Sequence, residues 1–262
     1  MDFGIKGQGA VVAAASKGLG RACAIALAAE GVNVAVFARD LNGLTETAAA
    51  VRATGVQALI IQADVTKPDQ IRQVVDRAAS EFGRLDILVC NAGGPTPGKF
   101  TDVNDEQWEQ AFHLNLMSVV RLIHEALPHL RRQGAGRIIN LVSTSVREPI
   151  EGLILSNSIR SGVIGLAKTL SQELGPDHIT VNNIITGSIM TDRQRSLRER
   201  TAQQLGISVE EAIKMAEKNI PLKRLGEPEE LAATVAFLAS RQAAYITGAS
   251  IPVDGGVMKG IW

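Results

Sequence analysis

The chain has 262 residues, 45% of them hydrophobic, with 27 Lys and Arg balanced by 27 Asp and Glu. At that length roughly 70% of the unfolded surface can be buried in one core, and the absence of net charge removes the electrostatic drive that nucleic acid or an anionic membrane surface needs as a partner. No apolar run approaches the roughly 20 residues of a membrane span, Cys23 and Cys90 are too isolated for a disulfide framework or zinc site, and His113, His124, His129 and His178 lack metal-ligand spacing. MDFGIKGQG does not read as a signal sequence, so a cytoplasmic protein without a metal is expected.

Short apolar runs predict strands at Ala10 to Ala15, Val32 to Ala38, Ala58 to Ala63, Ile87 to Cys90, Arg137 to Ser143, Thr180 to Ile185 and Ser250 to Val253. None alternates cleanly between apolar and polar, as expected of strands buried on both faces. Helix-period segments separate them, with Gly31 closing the first, Pro68 opening one after Thr66, and Pro228 before Glu229 and Glu230 opening the last. The fold class is therefore α/β: a doubly wound, mainly parallel, seven-stranded sheet of the Rossmann type. No linker or repeat divides residues 1–262, which read as one domain. The irregular stretch is Ser188 to Asn219, a charged insertion expected to form a small helical lid over the crevice, helical from Val209 to Lys218 after a looser polar start.

Directly after the first strand stands Ala13-Ala14-Ala15-Ser16-Lys17-Gly18-Leu19-Gly20, followed by a helix expected to begin near Arg21. Glycines there let the backbone turn tightly and let phosphate oxygens reach unpaired amides at a helix N-terminus. A lone Gly-x-Gly is weak evidence, but strand, turn, helix and second strand within about 30 residues form the context that a dinucleotide fingerprint requires. Ser16, Lys17, Gly18, Leu19 and Gly20 are the cofactor-binding candidates of this turn. Lys17 and Arg39 could flank a 2′-phosphate, which favours NADP(H) over NAD(H); Asp40, positioned to bond a free ribose hydroxyl, argues the other way.

From this turn onward the chain resembles the short-chain dehydrogenase/reductase superfamily, whose first turn is typically Thr-Gly-x-x-x-Gly-x-Gly. Asp64-Val65 resembles its adenine-contacting pair, and Cys90-Asn91-Ala92-Gly93 resembles its Asn-Asn-Ala-Gly segment. Asn115 in LNLMSV and Ser143 at the end of GRIINLVS fall where the family places its catalytic asparagine and serine. Thr186-Gly187-Ser188-Ile189-Met190-Thr191 resembles the segment beside nicotinamide, so Ile189 and Thr191 join the cofactor candidates. IPLKRLGEPEELA and YITGASIPVDGG extend the resemblance over essentially the whole chain. It is nearest to the 3-oxoacyl-(acyl-carrier-protein) reductase branch, in a divergent subgroup with imperfect motifs.

The departures bear on chemistry. Ala13-Ala14 replace the family's Thr-Gly, harmless if φ at Ala14 is negative and strained if it is positive. The family's Tyr-x-x-x-Lys, thirteen residues after the serine, is here Ser156-Asn157-Ser158-Ile159-Arg160. On a helix, i and i+4 share one face, so both side chains still point to one cleft. A serine hydroxyl is a much weaker acid than the phenol it replaces, and an arginine can hold ribose but cannot shuttle protons near neutrality. The only tyrosine, Tyr245, has Ala249 four residues on and is not a displaced pair.

The resemblance thus implies an oxidoreductase transferring a hydride between NADP(H) and a carbonyl or hydroxyl substrate, small or acyl-thioester. Ser143 and Asn115 would orient the carbonyl, Arg160 would bind ribose, and water at Ser156 would relay the proton. Glu148 and Glu151 are alternative acids expected beside the same cleft. A dinucleotide-binding protein with little or no turnover, acting as sensor or assembly subunit, is the competing reading.

Arg193, Arg195, Arg198 and Arg200 in the lid either meet a phosphopantetheine phosphate or acidic carrier, or form a solvated face. Ile150, Leu153, Ile154 and Leu155 suit a pocket or a subunit contact. Leu116, Val119, Val120, Ile123 and Leu127 fit an interface or the chain's own core. The family resemblance and an apolar Trp262 suggest a homotetramer.

Overall fold

The computed structural model describes residues 2–260; the expectation for Trp262 lies outside them. Seven strands form one sheet in the order β3-β2-β1-β4-β5-β6-β7: β1 Gly9–Ala13, β2 Asn33–Ala38, β3 Ala58–Gln62, β4 Ile87–Cys90, β5 Gly136–Ser143, β6 Ile179–Thr186 and β7 Ser250–Val253. Every pairing is parallel, so the sheet is wholly rather than mainly parallel. β4 and β7 have the expected bounds, and the other strand ends differ from the sequence expectation by at most two residues. The larger shift is at β1, which stops at Ala13 because Ala14 turns into the left-handed region.

Two apolar layers bury the sheet. Cys23, Leu27, Leu44, Val51 and Val235 pack one face under α1 (Gly18–Ala29), α2 (Leu41–Arg52) and α9 (Pro228–Ala239). Ile71, Val75, Leu122, Ile123, Leu130 and Val163 pack the other under α3 (Pro68–Phe82), α5 (Ser118–Arg132) and α6 (Ile154–Glu173). The stripe read as interface or core belongs mainly to the core: Val119 and Ile123 are buried, with Leu116 and Leu127 packed against the same layer. Both cysteines are buried and reduced, and burial pushes the Cys23 thiol up to about 12.

Local chemistry sets the helix ends. Pro68 occupies the first turn of α3, whose chain leaves through left-handed Gly83. Asp40 caps α2, its carboxylate accepting from the Gly43 amide at 3.2 Å. The first helix begins at Gly18 rather than near Arg21, because a left-handed glycine can open it. In the insertion, the expected loose start is a helix, α7 (Asp192–Leu205), capped by Thr191 and ended by left-handed Gly206. Its polar composition concealed a regular capped segment. It packs against α8 (Val209–Lys218), which Ser208 and Glu211 open with a reciprocal capping box.

Candidate active site

Strand order reverses between β1 and β4, and a crevice opens at the carboxyl ends of strands on either side of such a switch. Here it is a cleft of about 1370 Å³, larger than the roughly 300–1,000 Å³ of a drug-sized ligand pocket. Of the residues assigned catalytic or cofactor-binding roles from sequence, all but Gly20 and Asn115 line it.

At one end lies the turn after β1. Gly18 has φ +55° and opens α1, whose preceding residue Lys17 makes no side-chain cap bond. The first amides of α1 are thus left to an anion in the cleft. Gly20 stands behind the wall, where any Cβ would collide with the Ala14 carbonyl; it permits helix and turn to pack closely. Ala14 has φ +50°, so the methyl group that replaces the family glycine sits in strained backbone. Its neighbours hold it there: Ala15 N donates to Phe37 O at 3.2 Å, and Asn91 Nδ2 donates to Ala13 O at 3.3 Å across the switch point. The turn keeps its left-handed path and its open helix end, and so fits a dinucleotide phosphate.

The adenosine side carries three charged groups. Lys17 and Arg39 are exposed on the cleft wall. Asp40 also lines it, but its carboxylate is engaged in capping α2. Asp64 accepts from the Thr66 amide and hydroxyl, both at 2.9 Å. Partial burial opposes its ionisation, yet the Thr66 bonds and the charges of Arg39 and Lys67 outweigh that and hold its pKa below the ordinary carboxylate value.

At the other end the altered pair meets the sheet. Arg160 reaches back from α6, donating through Nη2 to Gly93 O at 3.3 Å and Ala92 O at 3.5 Å, and through Nη1 to Leu141 O at 3.4 Å. Its Nε is buried without a partner. Desolvation and neighbouring Arg193 push its pKa down to about 10, still cationic near neutrality. Ser156 is buried, and its hydroxyl shares a 3.1 Å hydrogen bond with buried Ser145. Ser143 Oγ accepts from the Ser145 amide at 3.2 Å, and Thr186, its register partner on β6, has a buried hydroxyl with no partner. Asn115 sits in a π-helical turn, His113–Met117, between α4 (Asp105–Phe112) and α5. It donates through Nδ2 to Gly93 O at 2.8 Å, acting on the cleft from behind its wall. Gly93 O thus accepts from both Asn115 and Arg160.

Two expectations fail. Glu148 and Glu151 do not line the cleft: Glu148 accepts from the Lys259 amide, and Glu151 lies in solvent beside Lys99. The apolar patch is divided, with Ile150 and Leu153 on the cleft and Leu155 in the core. Sequence reasoning also missed Ser145 and Thr186. Thr186 opens the segment quoted beside nicotinamide but was given no role there, and a hydroxyl two residues past Ser143 was a visible signal. Of the lid arginines, only Arg193 lines the cleft.

A family model described as enoyl-(acyl carrier protein) reductase matches residues 13–258. A 3-oxoacyl-(acyl-carrier-protein) reductase of Staphylococcus epidermidis is 37% identical over 251 residues, 95% of this chain and 98% of the relative. The short-chain reductase protein NovJ of Streptomyces niveus is 37% identical over 247 residues, 94% of this chain and 92% of its own. The structure of L-sorbose reductase from Gluconobacter frateurii, complexed with NADPH and L-sorbose, superposes with a TM-score of 0.96 at 33% identity, covering 100% of both chains.

Proposed function

The chain belongs to the short-chain dehydrogenase/reductase superfamily, in its 3-oxoacyl-(acyl-carrier-protein) reductase-like branch, and from that membership we propose a reductase of carbonyl substrates that uses NADP(H) and an altered proton-supplying site. As a member it is an NAD(P)-dependent oxidoreductase. The observation that carries the reading is the continuity of the cleft, which runs from the Gly18 turn past Asn91–Gly93 to Ser143, Ser156 and Arg160.

The nicotinamide dinucleotide, when bound, supplies the hydride. The α1 amides, Lys17 and Arg39 would hold its phosphates, and the NADPH found with L-sorbose reductase supports the phosphorylated form. Asp64 and Val65 would border the adenine; Asn91, Ala92, Gly93, Ile189 and Thr191 would line the remainder. Arg160 would hold the ribose through the face opposite its carbonyl contacts. Ser143 would orient the substrate oxygen, and Asn115 would position Gly93 and so Arg160. Ser156 cannot replace a phenol directly; its hydroxyl would pass a proton through water or through Ser145. The substrate class is a small carbonyl compound or an acyl thioester. The family resemblance alone supports a cytoplasmic homotetramer, which light scattering would register at four times the chain mass.

Replacing Ser156 with Tyr and Arg160 with Lys together tests the reading. A positioned acid is worth typically 10²- to 10⁴-fold, so reduction of a 3-oxoacyl thioester by NADPH should rise by about that range. No gain, with NADPH still bound, would show that the site does not keep the reductase geometry. A protein that binds the dinucleotide without turnover gives that second result.

A further inference from the structure

Two cations meet at one short loop without a carboxylate side chain paired to either among the described residues. Arg160 lies over the carbonyls of Ala92 and Gly93, its bonds long at 3.3 and 3.5 Å and its Nε unpaired. Arg193, the second residue of α7, comes from the opposite wall. Its guanidinium lies against Gly94 so closely that any Cβ there would collide with both terminal nitrogens. Neither arginine has a carboxylate partner among the described residues. Elsewhere in the molecule arginines do find one: Arg131 pairs with Asp177 at 2.7 Å and Arg224 with Glu230 at 2.6 Å.

We propose that Arg160 and Arg193 form an oxyanion-binding pair across the Ala92–Gly94 loop, with Arg193 delivered by the lid and a phosphate or carboxylate group as the ligand. The planar fork of a guanidinium matches the paired oxygens of those groups. Two like charges at one loop repel, and an oxyanion between them reverses the sign of that interaction. Burial first, and the Arg193 charge second, depress the pKa of Arg160. The ligand has two sources. Thr191, just before α7, would touch a Cβ on Gly18 at 3.4 Å, which sets the start of the lid beside the phosphate turn and suits the dinucleotide diphosphate. Ser143 and Ser156 line the same cleft, which suits an acidic group on the substrate. The proposal rests on the reductase reading and deepens it by naming the residues that recognise an anionic group of the ligand.

Binding of NADPH, inorganic pyrophosphate and acetoacetate is measured by calorimetry on the full chain and on Arg193→Ala, Arg193→Lys and Gly94→Ala. Acetoacetate is titrated with NADPH present, and thermal unfolding checks each fold. Losing charge-assisted hydrogen bonds should weaken at least one ligand by about 10- to 100-fold in Arg193→Ala. Arg193→Lys should recover part of that, keeping charge without the fork. Gly94 is outside the left-handed region, and the atoms nearest to a Cβ there belong to the Arg193 guanidinium, so Gly94→Ala displaces that side chain. It should reproduce the loss, and the double variant should add nothing to it.

Loss for NADPH and pyrophosphate together assigns the pair to the cofactor diphosphate. Loss for acetoacetate alone assigns it to a substrate carboxylate. Unchanged affinity for all three ligands, with NADPH bound by the parent chain, overturns the pair and leaves the reductase reading intact. A parent chain that ignores NADPH but holds pyrophosphate through Arg193 removes that reading and keeps the pair.

Discussion

The two ends of the sheet use polar groups in opposite ways. At the amino-terminal edge, Asp86 is buried and fully engaged: it accepts from the Gly9 amide at 2.9 Å and from Arg84 Nε and Nη2 at 2.8 and 2.7 Å. One carboxylate there ties β1 to β4, and its bonds raise the pKa of Arg84. At the carboxyl edge of the same strands, Arg160 Nε, Thr186 Oγ1 and Asn115 Oδ1 are buried without partners, and Ala14 is held at φ +50°. Buried polar groups are ordinarily satisfied, so unmet donors and acceptors together with backbone strain at this edge suit a ligand site. The fold secures the switch point from below and leaves it open above.

The largest effect should come from the closed edge. Asp86→Ala leaves the Gly9 amide and Arg84 without their acceptor; breaking a buried pair costs about 3 kcal/mol, the low figure reflecting the partial exposure of Arg84. Urea denaturation should show that loss while NADPH affinity in the folded fraction stays put. A large change in affinity would break the division between the two edges. Arg160→Ala should do the reverse. Removing a charged donor weakens NADPH binding by about 10- to 100-fold, while stability moves by less than about 1 kcal/mol because the lost carbonyl contacts are long and an unpaired nitrogen goes with them. A variant that unfolds would recast Arg160 as structural.

The smallest effect belongs to Ala14→Gly. Relief of a left-handed alanine is worth about 1 kcal/mol, and the greater freedom of glycine in the unfolded chain offsets part of it. Melting temperature should rise by about 2 °C and NADPH should bind more tightly. A fall in melting temperature would mean that the turn draws no strain from this residue.

Much of the architecture was legible in the residues. The unbroken apolar runs of β1 and β4 announced strands buried on both sides, and Pro68, Pro228 and Gly31 marked helix boundaries at or beside their places. Composition concealed α7: its polar sequence carries little apolar periodicity, and its evidence lay in Thr191 as cap and Gly206 as exit. At the site, spacing located Ser156 and Arg160 because helical periodicity is local. It could not reveal that Ser156 pairs with Ser145, that Asp40 caps a helix, or that Arg193 crosses to Gly94, since those contacts depend on how separate elements pack. The sign of φ at Ala14 was likewise open until the turn was placed, and it proved positive.

If the open edge receives a phosphorylated nicotinamide dinucleotide, the chain should distinguish NADPH from NADH. Calorimetric titration of the parent chain with NADPH and then NADH tests it most directly. Micromolar binding of NADPH and weaker binding of NADH are expected, the gap closing when Lys17 and Arg39 are both replaced by Ala. No heat from either dinucleotide at millimolar concentration would contradict it, and would mean that Ala14 has closed the turn.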